Sequence, residues 1–412
     1  MLALRDDADA RARTAVLRFV GALHLADQVP WVVGRLAASN ADEVATATRT
    51  LATFGAAAAG ALCEVLRTGR SIARSRALVA LRDIPDAPGK LGALAAREVD
   101  HGLRLLMVAG ALKAGGTADV VLQHLRERID TCALAALLLL DVILDDERIG
   151  RACELLGRTV SWRDRGVLLE ALETVLPPEE SARIVPLIEG THLATSAELA
   201  SRILRTPPLT FEAAFREVLT DGDRLMAFLL LGTMAPSTRA RLATRLDGDP
   251  VTVSYDPAAM GRDIDTILHL RSVDLFEHLA TQQLADLARV VEEVTLPDGT
   301  AIVTEGEYDD CMYVVVDGRV RVVKGDVVVG HFSSRGFFGE MALLDGQTRS
   351  TSAIAVGSVR LLRLSRAALL HVMEEQPAIA IAICQMLSRR VRDLLDDRAR
   401  LEPRPVTPGG GS

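Results

Sequence analysis

The sequence predicts a multidomain α+β protein, with an all-α N-terminal part and a small antiparallel β-barrel of the jelly-roll type near the C-terminus. At 412 residues the chain exceeds what one hydrophobic core usually holds. Hydrophobic residues make up 49% of the chain but aromatic residues only 3%, a balance that favours packed helices over a large β-sandwich. Segments rich in β-branched residues and separated by glycine turns are concentrated between residues 301 and 364.

The N-terminal part, residues 8–246, has the apolar periodicity of helices throughout. Apolar residues recur at three and four positions, and the segments break at Gly, Pro, Asn or Asp. Similar helical segments return at intervals of roughly thirty residues, a period typical of stacked helix pairs. These segments are 75–81, 101–106, 132–138 and 165–172, followed by 224–230. The pattern resembles a HEAT-like solenoid, with a non-repeating helical bundle as the alternative; either would present a long surface to a protein partner.

A cluster of chain breakers marks the boundary between the two parts. Two short stretches, 246–250 and 254–257, contain Gly, Pro and Asp in close succession. The chain therefore divides into a HEAT-like helical repeat domain, a linker, a second domain and a disordered Pro- and Gly-rich tail. The predicted bounds are 1–247, 248–262, 263–401 and 402–412.

Within the second domain the pattern alternates between helix and strand periodicity. Two helices are predicted before the strands and two after them, the last of them long and amphipathic. The predicted helices are 262–271, 281–294, 365–375 and 378–401. The predicted strands are 301–305, 311–316, 318–324, 326–331, 351–356 and 358–364.

One stretch of this domain combines an anion-binding pattern with a hydroxyl acceptor. It runs from Gly336 to Leu344 and resumes, after a short turn, at Arg349. A glycine lets the backbone approach a ligand closely. Glu340 only accepts hydrogen bonds, whereas Arg349 offers a planar fork of donors that suits a phosphate. The stretch predicts one ligand with a phosphate at one end and a sugar hydroxyl at the other.

These residues resemble the phosphate-binding cassette of the cyclic nucleotide-binding domain family. Three upstream stretches, Pro297–Gly299, Glu305–Gly306 and Met312–Gly318, follow that family's succession of strands and glycine turns. The resemblance covers about a third of the chain, from near Asp263 to near Leu401. It implies that the predicted β-barrel binds a cyclic nucleotide and that the long helix at its end closes over the base.

The resemblance also implies a role for each residue of the cassette. Arg349 binds the phosphate, Glu340 accepts from the ribose 2′-hydroxyl, and the hydroxyl of Ser350 assists at the phosphate. Three further residues, Gly339, Met341 and Ala342, supply backbone N–H groups or pocket wall. The complete predicted ligand-binding set is Phe338, Gly339, Glu340, Met341, Ala342, Arg349, Ser350 and Thr351.

The resemblance also implies a base preference through the residue after the arginine. A threonine at position 350 would favour guanine, so Ser350 favours cAMP, with cGMP as the alternative. A residue of the closing helix is expected to face the base. The candidates are Arg389, Arg390, Arg392 and Arg398, each of which is also consistent with an ordinary solvated side chain.

Other patterns do not indicate chemistry. The segment 55–60 has phosphate-loop spacing but lacks the lysine and hydroxyl residue that such a loop needs. The eight histidines show no metal-ligand spacing, and Asp309–Asp310 reads as an ordinary acidic turn. The sequence therefore predicts no catalytic residue, no metal, no cofactor and no enzyme activity.

Charge, cysteine content and hydropathy limit the partners. A net charge of -8 and a pI near 5.6 argue against nucleic acid. The five cysteines are widely separated, which favours a reducing cytoplasm, including the cytoplasmic face of a membrane. The longest apolar run, 132–144, is too short for a bilayer and contains Asp141, so no direct membrane insertion is predicted.

The resemblance implies a non-enzymatic sensor in signal transduction. Binding of cAMP would close the helix at 378–401, shift the helices at 262–294 and change which protein partner the helical repeats bind. Two alternatives stay open. The chain would serve as the soluble regulatory module of a bacterial membrane transporter of the nucleotide-exchange type, or as a scaffold whose nucleotide pocket does not function.

Overall fold

The fold was derived from a computed structural model, which divides the chain into two compact units, Met1–Val253 and Ser254–Ser412. The residues that the structure describes are 4–7, 9–38, 40–68, 71–84, 87–144, 146–156, 162–189, 193–235, 237–238, 257–276, 279–375, 380, 383–384, 387–389 and 391–392.

The first unit consists of α-helices joined by short turns, with two single 3-10 turns, Ala26–Gln28 and Arg35–Ala37, near its start. The helices are α1 (Ala10–Ala22), α2 (Val29–Gly34), α3 (Ala41–Phe54), α4 (Ala56–Thr68), α5 (Ser71–Arg82), α6 (Ala87–Ala114), α7 (Asp119–Leu144), α8 (Glu147–Leu156), α9 (Trp162–Val175), α10 (Pro178–Glu189), α11 (Leu193–Leu204), α12 (Phe211–Thr220) and α13 (Arg224–Thr233).

Side-chain caps fix where several of these helices begin. Asn40 accepts a hydrogen bond from the backbone N–H of Glu43 at the start of α3, and Asp223 accepts from that of Met226 at the start of α13. Such caps satisfy backbone donors that have no partner inside the helix. The apolar faces that follow are buried against neighbouring helices, so the predicted all-α character of this part is confirmed.

The helices of this unit differ widely in length. Two of the repeated segments, 101–106 and 132–138, lie inside α6 and α7, which have 28 and 26 residues. Most of the others have 10 to 14 residues. The helical class is established, whereas a regular HEAT-like repeat is a proposal.

The predicted linker, 248–262, is described only in part. Residues 248–256 lie outside the described residues, whereas 257–262 form the first turns of a helix, α14 (Pro257–Arg271). The predicted helix at 262–271 is therefore confirmed and begins earlier than expected.

The second unit is built around one antiparallel sheet. Two strands of 14 residues, β3 (Cys311–Lys324) and β6 (Ser352–Ser365), pair along most of their length and form its centre. The order of paired strands is β1-β6-β3-β4, with β2 on β6 and β5 on β3. The shorter strands are β1 (Glu292–Leu296), β2 (Ala301–Val303), β4 (Val327–Phe332) and β5 (Phe337–Phe338).

The sheet differs from the predicted barrel in being open. Among the described residues the paired strands end at β1 on one side and at β4 on the other, and no pairing joins these two edges. A barrel requires the first and last strands to close the ladder. The prediction of an antiparallel β domain is confirmed, and the closed barrel is corrected to an open sheet.

Two predicted strand pairs are each a single bent strand. The predicted strands 311–316 and 318–324 are joined in β3, where the pairing register shifts around Gly318. Gly318 has a φ of 92°, and a Cβ there would lie 2.6 Å from the carbonyl oxygen of Ser358. The glycine therefore bends the strand within the ladder instead of turning the chain. In the same way, 351–356 and 358–364 are joined in β6.

Helices flank the sheet on both sides in sequence. The predicted helix 281–294 ends earlier, as α15 (Thr281–Ala288), because Glu292 and the residues after it pair with β6 as β1. After β6, the predicted helix at 365–375 is confirmed as α17 (Arg366–Glu375). Most of the predicted helix 378–401 and the whole predicted tail 402–412 lie outside the described residues.

In the part of the chain that the structure describes, no helix combines the length and the apolar character that a membrane span needs.

Candidate functional site

The predicted cassette starts on β5 and continues into a short helix. β5 pairs with β3, so that Phe338 lies opposite Tyr313 and Phe337 opposite Val314. Immediately after Gly339 the chain forms α16 (Glu340–Asp345). The start of the cassette is thereby paired with β3, and its short helix leads into the loop that contains Arg349.

Phe338 belongs to the core of the sheet. Its ring stacks between Tyr313 and Phe332, with ring centroids 5.4 Å and 5.8 Å away. The side chain is 6% exposed and lies in the cluster of residues that fills one face of the sheet. The side chain of Phe338 therefore anchors the cassette to the hydrophobic core of the sheet.

Gly339 is the position where the cassette and the arginine meet. Its φ is 86°, a conformation that L side chains rarely adopt. A Cβ at this position would collide with Nη1 of Arg349, which donates a 3.0 Å hydrogen bond to the Gly339 carbonyl oxygen. A glycine is required here by both the backbone conformation and the close approach of Arg349.

Arg349 is buried, with only 3% of the residue exposed, and its guanidinium is held by the protein on two nitrogens. Nη1 donates to the Gly339 carbonyl, while Nη2 donates to Oδ2 of Asp309 at 2.7 Å and to the carbonyl of Cys311. The third nitrogen, Nε, is buried and has no hydrogen-bond acceptor among the described residues. Because an unsatisfied buried donor is costly, the Nε–H is the part of this side chain that still needs an acceptor.

The carboxylate of Asp309 is itself held in place by hydrogen bonds. Its Oδ1 accepts from the backbone N–H of Cys311 at 3.1 Å, and its Oδ2 accepts from the hydroxyl of Tyr313 at 3.3 Å as well as from Arg349. Three donors converge on one carboxylate, so the direction of the Arg349 fork is set before any ligand binds.

The backbone of Arg349 is also tied to the loop that carries Asp309. Its N–H donates to the carbonyl of Glu307 at 2.9 Å, and its carbonyl accepts from the N–H of Gly306 at 2.9 Å. The turn after the cassette and the turn before β3 therefore lie side by side. The backbone and the guanidinium of Arg349 are therefore both positioned by the loop that contains residues 306–309.

The other predicted ligand-binding residues surround this centre. Glu340 is 7% exposed at the start of α16, and Met341, the next residue, is 57% exposed. Ser350 is exposed and Thr351 half-buried, directly after Arg349. Ala342 lies in α16. The structure thus places Arg349 against Gly339, with the buried Glu340 directly after that glycine.

The Cys311 thiol and the Tyr313 hydroxyl, which lie near Arg349, stay neutral at ordinary pH. Burial raises the pKa of the Cys311 thiol to about 11, and the nearby Asp309 carboxylate adds to the effect. Burial and the same carboxylate raise the pKa of the Tyr313 hydroxyl to about 12. Asp309, Asp310 and Cys311 lie within metal-ligand reach of one another, but a protonated thiol and a neighbouring guanidinium disfavour a cation.

Sequence reasoning missed Asp309, which reads as an ordinary residue of an acidic turn. Its role depends on the pairing of residues 306–307 with Arg349, which joins positions some forty residues apart. The available signal was its place two residues before the long central strand, within the domain that also contains the cassette.

The comparisons with known proteins identify this region. The family model described as the cyclic nucleotide-binding domain matches residues 293–376, so this part of the chain is a cyclic nucleotide-binding domain and the predicted family is confirmed over these residues. Domains of this family are regulatory rather than catalytic.

Individual relatives match the same part of the chain. A cyclic nucleotide-gated potassium channel of Rhizobium etli is 35% identical over 112 residues, which cover 27% of this chain and 31% of the channel. The cyclic AMP receptor protein of Thermus thermophilus is 29% identical over 129 residues, 30% of this chain and 60% of that protein. A cAMP-dependent protein kinase regulatory subunit of Aspergillus fumigatus is 33% identical over 99 residues, 24% of each chain. The match spans less than two thirds of each relative.

Proposed function

We propose that residues 293–376 sense a cyclic nucleotide and that Arg349 anchors its phosphate. The observation that carries the proposal is the buried guanidinium whose Nε–H has no acceptor among the described residues. A phosphate oxygen is a strong acceptor and carries the charge that a buried arginine favours. The names of the relatives, which include cAMP-dependent and cyclic nucleotide-gated proteins, support the same ligand class.

The remaining cassette residues take complementary roles. Glu340, buried beside Gly339, accepts from the ribose 2′-hydroxyl, because a carboxylate is an acceptor and the sugar offers a donor. Met341 and Ala342 contribute backbone N–H groups or pocket wall. Ser350 and Thr351 flank the phosphate, and the side chain of Phe338 supports the site from the core of the sheet.

The preferred ligand is cAMP, with cGMP as the alternative. The proposal rests on Ser350, which follows the arginine at the position where threonine would favour guanine. The residue that faces the base belongs to the predicted helix 378–401, most of which lies outside the described residues.

Titration calorimetry with cAMP and cGMP tests the site. The wild-type chain is expected to bind cAMP at roughly micromolar concentration or tighter, and more tightly than cGMP. Arg349→Ala should weaken binding by about a hundredfold or more, because a charged partner of the phosphate is lost. Arg321→Ala, an exposed arginine on β3, is the matched control and should bind as the wild type does. A folded wild-type chain that binds neither nucleotide would refute the proposal.

We further propose that the N-terminal helical unit is a HEAT-like repeat whose surface binds a protein partner in the cytoplasm. Binding of the nucleotide would change how this surface binds that partner. A ligand can shift such a surface only through different affinities for two arrangements of the chain. Affinity capture of a partner that depends on cAMP would support the coupling. Capture of a membrane transporter would favour the regulatory-module alternative, and normal folding without nucleotide binding would favour the scaffold.

A further inference from the structure

A histidine outside the cassette is bonded to the strand that supports it. His269 lies in the last turn of α14, and its ring Nε2 is 3.0 Å from the carbonyl oxygen of Val315 in β3. A carbonyl only accepts, so Nε2 carries the proton and donates it. The ring is half-buried, and its neighbours on α14, Ile267 and Leu270, are buried. The hydrogen bond therefore joins a helix that precedes the sheet to the middle of the sheet.

The carbonyl of Val315 is also a support of the cassette. It accepts from the backbone N–H of Arg335 at 3.0 Å, and the N–H of Val315 donates to the carbonyl of Gly336 at 2.8 Å. Gly336 directly precedes β5, and Gly339 follows β5. Val315 is thus bonded to the segment that leads into the nucleotide site and, through His269, to α14.

The entry to the cassette is held to β3 by an additional bond. The hydroxyl of Ser334 donates to the carbonyl of Val316 at 2.9 Å, next to the bonds of Val315. Hydrogen bonds lose strength quickly when donor and acceptor move out of line. Any displacement of the segment 333–336 relative to β3 therefore changes the surroundings of the Val315 carbonyl on which His269 depends.

We propose that His269 is a positioning residue that transmits the state of the nucleotide cassette to α14. The proposal rests on the proposed function, because it assumes that a nucleotide contacts Gly339 and Arg349. A ligand drawn onto those residues acts on β5 and the segment before it, and the Val315 carbonyl transfers the change to the ring of His269. Helix α14 is then held in different ways in the two ligand states.

Hydrogen–deuterium exchange of the segment 257–271, with and without saturating cAMP, tests this role in the full-length chain. His269→Leu removes the donor and keeps an apolar side chain, whereas His269→Gln keeps an N–H donor. The wild type and His269→Gln are expected to change their exchange in this segment when cAMP binds. His269→Leu should bind cAMP within about threefold of the wild-type affinity and lose at least about half of the exchange response.

A second variant separates this relay from simple loosening of the helix end. The hydroxyl of Ser272 donates to the carbonyl of His269 at 2.7 Å, so Ser272→Ala weakens the end of α14 without touching the bond to Val315. This control should respond to cAMP as the wild type does. An unchanged response in His269→Leu, with cAMP bound, overturns the relay alone. Failure of the wild type to bind cAMP overturns the proposed function and the relay together.

Discussion

Two arginines, one in each unit, make opposite use of the same side chain. Arg104 joins α6 to α12 by placing Nε and Nη2 on the two oxygens of the Glu217 carboxylate, each at 2.7 Å. Arg349 donates from its two terminal nitrogens to one carboxylate oxygen and two backbone carbonyls, and its Nε has no acceptor among the described residues. The first arginine directs Nε and Nη2 at one protein carboxylate, whereas the second keeps a buried Nε–H without an acceptor among the described residues.

Burial distinguishes the Arg104–Glu217 ion pair from the proposed site at Arg349. The side chains of Arg104 and Glu217 are 36% and 28% exposed, so water can hydrogen-bond to the donors and acceptors that the ion pair does not use. Arg349 is 3% exposed, where water is largely excluded and an unmet donor must find a partner. The acceptors around Arg349 therefore orient its guanidinium through Nη1 and Nη2 but leave the Nε–H without an acceptor among the described residues.

The largest expected effect separates these two arginines by ligand affinity. Arg349→Ala should weaken cAMP binding by about a hundredfold or more, because the phosphate loses its charged donor. Arg104→Ala removes a partly exposed ion pair and should leave cAMP affinity unchanged, with a loss of folding stability of about 1 kcal/mol or less. Titration calorimetry and thermal unfolding measure the two quantities. Equal affinities for the two variants would remove the distinction.

A smaller loss of affinity is expected when Arg349 is displaced but kept. Gly339→Ala introduces a Cβ that collides with Nη1 of Arg349 at a φ of 86°. Since the guanidinium must then move, cAMP affinity should fall by about tenfold or more. Gly325→Ala is the matched control, because Gly325 also has a positive φ, of 56°, but no atom within 4 Å of an added Cβ. It should lose stability without losing affinity.

Replacing the carboxylate partner of each arginine tests the same contrast through folding stability. Asp309→Asn leaves a buried guanidinium without its counter-charge and should lower stability by about 1–3 kcal/mol. A bound phosphate replaces the missing charge, so cAMP should raise the melting temperature of Asp309→Asn by more than it raises that of the wild type. For Glu217→Gln, in the helical unit, cAMP should give the wild-type increase. Scanning calorimetry with and without cAMP distinguishes these outcomes.

Much of the site followed from the sequence, for a physical reason that applies residue by residue. Gly339, Glu340 and Arg349 are close in sequence, so local spacing was enough to predict that they lie near one another, and Arg349 does contact Gly339. Asp309 depends on a contact between distant loops, and local patterns contain no information about such pairing. The open sheet was missed for the same cause, because strand periodicity predicts strands but not whether the outer two meet.

The bends in the sheet show a second limit. Gly318 reads as a turn in sequence, yet in the structure it bends a continuous strand, because its neighbours keep their pairing to β6. A glycine pattern alone cannot distinguish these cases. The helical unit was predicted well as a class, since caps and apolar periodicity are local, whereas its repeat architecture depends on packing between distant helices.

The smallest expected effect is a pH dependence confined to the helical unit. Burial opposes protonation of His124, but the hydrogen bond to Asp223 and the nearby Glu127 carboxylate outweigh it and raise its pKa. Burial likewise opposes ionisation of Asp223, yet His124, the backbone N–H of Met226 and Arg128 hold the pKa of Asp223 at about 2. The two oppositely charged groups lie 3.1 Å apart, between α7 and the start of α13.

The direction in which folding stability changes with pH follows from the pKa shifts of the two groups. The contribution of His124 is complete below its unfolded pKa, near 6.5, and is lost as pH rises through the raised folded value. The contribution of Asp223 is present above about pH 4 and is lost as pH falls towards 2. Both tryptophans, Trp31 and Trp162, lie in this unit, so their fluorescence reports its unfolding. His124→Gln should reduce the fall in stability between pH 6 and 8 by roughly 1–2 kcal/mol. An unchanged pH profile would contradict this assignment.

The most direct measurement is the Nε–H resonance of Arg349 in protein labelled with ¹⁵N-arginine. The resonance is identified by its absence from the spectrum of Arg349→Lys. Saturating cAMP should shift it downfield, as expected for an N–H that gains a phosphate acceptor, whereas adenosine, which lacks the phosphate, should leave it in place. A resonance that stays unchanged while cAMP is bound would show that Arg349 does not receive the phosphate through Nε.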